Sequence, residues 1–162
     1  CTNNENDICE KVTYERLKRV SQGYKNKNNE KVKGLGGNLK YLKTDFIKID
    51  PSIDDLKEKI VDVSAQIICL KESTFKENHI QEKIKILENK NQYTAILFDT
   101  FYLDDFIKQL NKLSDKHIAV YVFAYDKNFT KEEFSTLSSN IDFTVEPIPE
   151  KLLETYQEIF NF

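Results

Sequence analysis

Asp99 and Asp126 each follow a strand-like run, with Asp104 and Asp105 just downstream of the first; together they could supply two carboxylates to a magnesium ion. Capping and turn formation explain the same residues at less cost, because aspartate favours both positions. His79 and His117 lie far apart, without a cysteine or acidic residue at ligand spacing, and neither has the setting of a metal ligand or general base. Gly34-Leu-Gly-Gly37 lacks the lysine and serine of a phosphate loop and precedes a strand-like segment instead of a helix. The three cysteines, Cys1, Cys9 and Cys69, are odd in number and have no metal-ligand spacing, which fits a reducing, cytoplasmic setting.

The elements that must position these residues are organised around a joint. All four glycines (Gly23, Gly34, Gly36, Gly37) precede residue 38, a clustering that calls for positive φ or close backbone approach. Upstream, Thr13 suits the cap of a helix from Tyr14 to about Gln22, with Gly23 ending it and Tyr14, Leu17 and Val20 on one face. Lys25 to Lys33 contains one apolar residue, Val32, and reads as a solvated loop or connector. Leu39 to Ile49 has strand composition and stops at Pro51. In the helix that follows, Leu56, Ile60, Val63, Ile67 and Leu70 recur at helical spacing, a stripe that suits a globular core better than a coiled-coil seam.

Lys83 to Leu87 and Gln92 to Phe98 read as a hairpin around Glu88-Asn-Lys-Asn91. A helix through Leu113 turns Leu103, Phe106, Ile107 and Leu110 inward, and His117 to Ala124 is apolar enough for a strand buried on both faces. Thr130-Lys-Glu-Glu133 has the pattern of a capping box ahead of Phe134 and Leu137; Ile141 to Val145 makes a last strand, and Pro149 opens a closing helix. The order β-α-β-β-α-β-α-β-α predicts an α/β fold: a small mixed, mostly parallel sheet with helices on its faces. Ligands of such sheets bind beyond the carboxyl ends of strands, here near Asp99, Thr100, Tyr125 and Asp126.

Charge is unevenly divided. Residues 1–49 carry 11 Lys and Arg against 6 Asp and Glu, and residues 50–162 carry 13 against 21. The acidic body is a poor surface for nucleic acid, whose binding requires phosphate neutralisation. No run approaches the roughly 20 apolar residues of a membrane helix, so no membrane partner is expected. The chain starts at Cys1 without an initiator methionine and reads as a cut piece or a processed product. One alternative is a lipid-anchored extracytoplasmic binding protein tethered through Cys1. The other makes Cys1 the end of a buried strand, with Thr2 to Asp7 as the polar loop above a parallel sheet.

Three segments carry a resemblance. Cys1-Thr-Asn-Asn-Glu-Asn-Asp-Ile-Cys-Glu10, Val12-Thr-Tyr-Glu-Arg-Leu-Lys-Arg-Val20 and Gly34-Leu-Gly-Gly-Asn-Leu-Lys-Tyr-Leu-Lys-Thr44 resemble the C-terminal part of site-specific adenine-N6 DNA methyltransferases. The group most similar is the modification subunits of type III restriction-modification systems. Ile67-Ile-Cys-Leu-Lys-Glu72, Ala119-Val-Tyr-Val-Phe123 and Glu146-Pro-Ile-Pro-Glu150 extend the likeness through the body. The family's glycine-rich cofactor segment and its Asp-Pro-Pro-Tyr-type motif lie upstream of the matching stretch and are not in this sequence. The resemblance therefore implies an S-adenosylmethionine-dependent parent and a fragment that is inactive alone, with no catalytic residue and no cofactor of its own. It implies that residues 1–24 are a helical remnant of the methyltransferase core, 25–38 a linker and glycine turn, and 39–162 an accessory α/β domain. Thr2 and Asn3 would lie at the edge of the parent's cofactor site, where relatives often place an acid. Arg16, Arg19, Lys40 and Lys43 would lie beside DNA in the intact enzyme. The implied partners are the rest of the methyltransferase chain, a second modification subunit or the restriction subunit, and DNA through the parent.

Overall fold

In the computed structural model, which describes residues 4–37, 39–43, 53–113, 115–124 and 129–160, the chain divides into two units, Cys1–Asp45 and Phe46–Phe162. The first begins with a 3-10 turn, Glu5–Asp7, and a π-helical stretch, Cys9–Tyr14, that runs directly into α1, Glu15–Gln22. Thr13 sits inside this continuous helical run and is not its cap; the preceding turns supply the carbonyls that a capping side chain would replace. Gly23 ends α1 at φ 92°, where a Cβ is disfavoured.

The basic stretch expected as a connector is a hairpin. β1, Gly23–Lys25, pairs antiparallel with β2, Lys31–Lys33, setting Tyr24 opposite Val32. Asn26 builds the tip: its side-chain oxygen accepts from the amides of Asn28 and Glu30 (2.9 and 3.0 Å), and its amide nitrogen donates to the Glu30 carboxylate at 2.7 Å. These bonds, not burial, stabilise the ribbon, which is why hydropathy gave no sign of it. At the base, a Cβ on Gly34 would lie 2.3 Å from the Ser21 carbonyl oxygen and 2.5 Å from the Gly23 nitrogen, so the backbones cross as the glycine cluster requires. Leu35 and Gly36 donate their amides to the Val20 and Ser21 carbonyls at 2.9 Å, tying the hairpin to α1. Over 39–43 the expected strand is absent, the Tyr41 ring packing on Tyr14 at 5.7 Å and Lys43 pairing with Glu10; its remainder, 44–49, lies outside the described residues.

The second unit is a mixed five-stranded sheet between two helical layers. Its elements are α2 (Ile53–Glu72), β3 (Lys76–Ile80), β4 (Ile84–Glu88), β5 (Gln92–Leu97), α3 (Leu103–Leu110), β6 (His117–Val122), β7 (Phe143–Val145) and α4 (Glu150–Phe160). The strands lie side by side in chain order, β3 to β5 antiparallel and β5 to β7 parallel. Alternation along β5 and β6 divides the core: Ala95, Leu97, Ile118, Val120 and Val122 meet α3 together with Phe134 and Leu137. Ile96, Ala119, Tyr121 and Phe123 meet α2 and Tyr156 of α4. Each such large apolar side chain removed from water contributes about 1.5–3 kcal/mol.

The hairpin at 88–91, the burial of β6 on both faces and the Thr130–Glu133 capping box are all present. Two features differ from expectation. β3, Lys-Glu-Asn-His-Ile, is an edge strand with a register break between Glu77 and His79 and little burial, so nothing forced alternation on its sequence. In α2 the buried stripe is Ile60, Val61, Ser64, Ala65, Ile68 and Cys69, while Ile67 and Leu70 are 44% and 55% exposed. Of the expected 4-3-4-3 set, Ile60 is buried and Leu56 packs on the same core, while Ile67 and Leu70 fall on a neighbouring face.

Candidate functional site

Thr2 and Asn3 lie outside the described residues. Arg16 and Arg19 are both exposed on α1, three residues apart and hence on neighbouring turns of one side. Lys40 is exposed without regular structure around it. Lys43 is engaged within the unit: its ammonium pairs with the Glu10 carboxylate, and that hydrogen bond raises its pKa above the ordinary lysine value. It also stands 6.0 Å from the centre of the Tyr41 ring, as Lys18 does from Tyr14. The lead-in thus brings tyrosines and basic residues together, with Lys43 the member already neutralised.

At the carboxyl ends of β5 and β6 the described residues cap turns and pack. Asp99 caps the 3-10 turn Thr100–Tyr102, its carboxylate accepting from the Phe101 amide at 2.9 Å. Asp104 is exposed in the first turn of α3, and Asp105 pairs with Lys108 at 2.8 Å. Tyr125 and Asp126 lie outside the described residues. Phe98 and Phe123, just past the ends of β5 and β6, stack at 4.8 Å, with Tyr156 4.6 Å from Phe123. The Tyr156 hydroxyl donates to the Phe98 carbonyl at 2.8 Å, so α4 fills this end of the sheet with aromatic rings.

The polar constellations of the second unit form where register and helix ends meet, which sequence spacing does not show. On the α2 face the Tyr121 hydroxyl donates to Glu72 at 2.5 Å and accepts from Lys71 at 2.8 Å, while the Gln92 amide reaches Glu72 at 3.0 Å. Burial first, then the bond to Glu72, pushes the Tyr121 hydroxyl far above the ordinary tyrosine range, holding it as a neutral donor. Cys69, nearby on α2, is pushed up to about 11 by burial, which leaves it an inert thiol.

A second chain runs Asp142, His117, Thr144, Glu146. His117 Nδ1 is 2.8 Å from the Asp142 carboxylate, Nε2 is 3.1 Å from the Thr144 hydroxyl, and that hydroxyl reaches Glu146 at 2.9 Å. Carboxylate, imidazole and hydroxyl stand in the order of a nucleophile triad. The Thr144 proton is directed to Glu146, however, and Thr144 is fixed in the middle of β7, paired in register with Ala119. The chain therefore ties the short edge strand β7 to β6. On the opposite face Glu88 accepts from Lys76 (2.5 Å) and Lys116 (2.8 Å), which hold its carboxyl below the usual range. The Lys116 ammonium also lies 4.6 Å from the Tyr93 ring centre.

Among the described residues, no group of three or more His, Cys, Asp or Glu is arranged to hold a metal ion, and no helix is long and apolar enough to cross a membrane. No protein-family model, curated protein or solved structure matches the chain. Its function has to be read from its own residues.

Proposed function

We propose that this chain is the C-terminal accessory domain of a site-specific adenine DNA methyltransferase of a restriction-modification system, a cytoplasmic docking module. Catalysis, S-adenosylmethionine binding and base flipping belong to the rest of the parent. The sequence segments quoted above motivate this reading, and one feature of the lead-in supports it. In α1, Leu17 and Val20 share a face and are 50% and 46% exposed; no residue of the helix is buried. Cys9 is the one buried apolar residue among the described part of the first unit. An amphipathic helix without a core of its own is stabilised by a partner's apolar surface, and the methyltransferase domain upstream supplies that surface. The acidic α/β body, a poor DNA surface, then serves contact with a second modification subunit or the restriction subunit.

The test is deletion of residues 46–162 from the full-length parent, with DNA methylation, assembly mass and capture of the restriction subunit scored separately. Methylation is expected to persist while assembly or capture is lost. Loss of methylation with assembly intact, or methyl transfer by these 162 residues alone, overturns the reading.

A further inference from the structure

We propose that the β1–β2 hairpin is a contact element for duplex DNA, a ribbon that lays a face of lysines along the phosphates of a groove. In register, Lys25 stands opposite Lys31 and Gly23 opposite Lys33. Because side chains alternate along a strand, Lys25, Lys31 and Lys33 share one face, while Tyr24 and Val32 share the other. All three lysines are exposed, and Lys27 adds a fourth charge at the tip. Like charges directly opposite each other destabilise a strand pair. Among the described residues none of the three lysines is in an ion pair, and Glu30, the acidic residue of the tip, has its carboxylate turned to the Asn26 amide. The repulsion is relieved when an array of anions lies across the lysines.

The ribbon is also built to hold its shape. Asn26 closes the tip, and the Gly23–Gly34 crossing with the Leu35 and Gly36 amide bonds fixes the base against α1. A two-stranded ribbon fits the major groove of B-form DNA, whereas the deep, narrow major groove of A-form RNA excludes it. Lysines present point charges without the planar fork of arginine, which suits backbone contact over base reading. The hairpin then positions the chain on DNA without specifying sequence. This inference stands apart from the assembly role, since a docking module need not touch DNA and a DNA-binding hairpin need not belong to a methyltransferase.

The experiment is fluorescence anisotropy of the 162-residue chain with a labelled mixed-sequence DNA duplex, repeated over a range of NaCl concentrations. Each phosphate contact contributes about 0.9 to the slope of log K against log salt, so Lys25→Gln, Lys31→Gln and Lys33→Gln together are expected to reduce that slope by about 2.7. Lys112→Gln, in the second unit, leaves the slope unchanged. Lys31→Glu replaces a like-charge pair with an opposite-charge pair; it is expected to raise thermal stability while weakening DNA binding, which separates a binding role from a folding role. An unchanged slope in the triple variant, equal affinity for an RNA duplex of the same sequence, or lysine-dependent binding to anionic vesicles without binding to DNA overturns the proposal.

Discussion

Glu88 shows how a single side chain links charge to stability in this protein. It sits at the end of β4, mostly buried, and is held by Lys116 and by the more exposed Lys76. The side-chain bonds to Lys116 and Lys76 lower its carboxyl pKa, and the bond to Glu88 raises that of Lys116. A carboxyl with a folded-state pKa below its unfolded one stabilises the fold above the unfolded value, and that stabilisation is lost as the pH falls through the folded value. Lys116 contributes the mirror image at the alkaline end, where its share disappears as the pH rises through its raised value. Glu88→Gln keeps the shape and removes the charge, and is expected to lower stability by about 1–3 kcal/mol at pH 7. The gap between the unsubstituted chain and the variant should be constant from about pH 5 to about pH 9, narrowing below about pH 4 and again as Lys116 loses its proton. Urea unfolding at several pH values measures it; a gap that stays constant down to pH 3 removes the ion-pair explanation. Nothing in the sequence announced this residue, because Lys76 and Lys116 are brought to it by β3 pairing and by the turn before β6.

At the scale of elements, what was legible followed burial. β5 and β6 are packed on both faces, so selection for apolar residues is continuous along them and their positions are plain in the sequence. The capping box at Thr130 and the aspartate cap at Asp99 were legible for a different reason, since caps are local and need only neighbours in the chain. The elements that escaped notice, β3 and the β1–β2 hairpin, are edge or surface ribbons stabilised by backbone pairing and side-chain turns, with no apolar period to betray them. α2 lies between these cases. Its helical period was clear, but its apolar residues occupy two adjacent stripes, and periodicity alone does not say which one meets the sheet. The structure decides it: Ile68 is fully buried among Ile96, Ala119 and Tyr121, whereas Ile67 is 44% exposed. Ile68→Ala is therefore expected to cost about 2–5 kcal/mol. Ile67→Ala, which removes the same atoms from a half-exposed position, should cost less than about 1 kcal/mol. Chemical denaturation of the two variants compares adjacent residues directly, and equal losses contradict the assigned face.

The two units of the molecule are stabilised by different means. Phe46–Phe162 contains both hydrophobic clusters, one on each side of the sheet, and its central strands lie at their junction. Cys1–Asp45 relies on hydrogen bonds at the hairpin base, the Asn26 turn and the tyrosine and ion pairs that anchor 41–43 to the helical run. Hydrogen bonds at exposed sites exchange readily with water, so local opening of the lead-in costs far less than opening of the sheet. Native-state amide exchange on the 162-residue chain should separate them. Amides of β5 and β6 are expected to exchange only through global unfolding, and those of α1 and β2 at least about a hundredfold faster. In the accessory-domain reading, the half-exposed Leu17 and Val20 are covered in the intact enzyme. The α1 amides should then slow by a similar factor in the full-length parent while those of β5 and β6 remain as they were. If α1 is already as protected as β6 in the shorter chain, the lead-in needs no partner, and the physical case for docking through that helix fails.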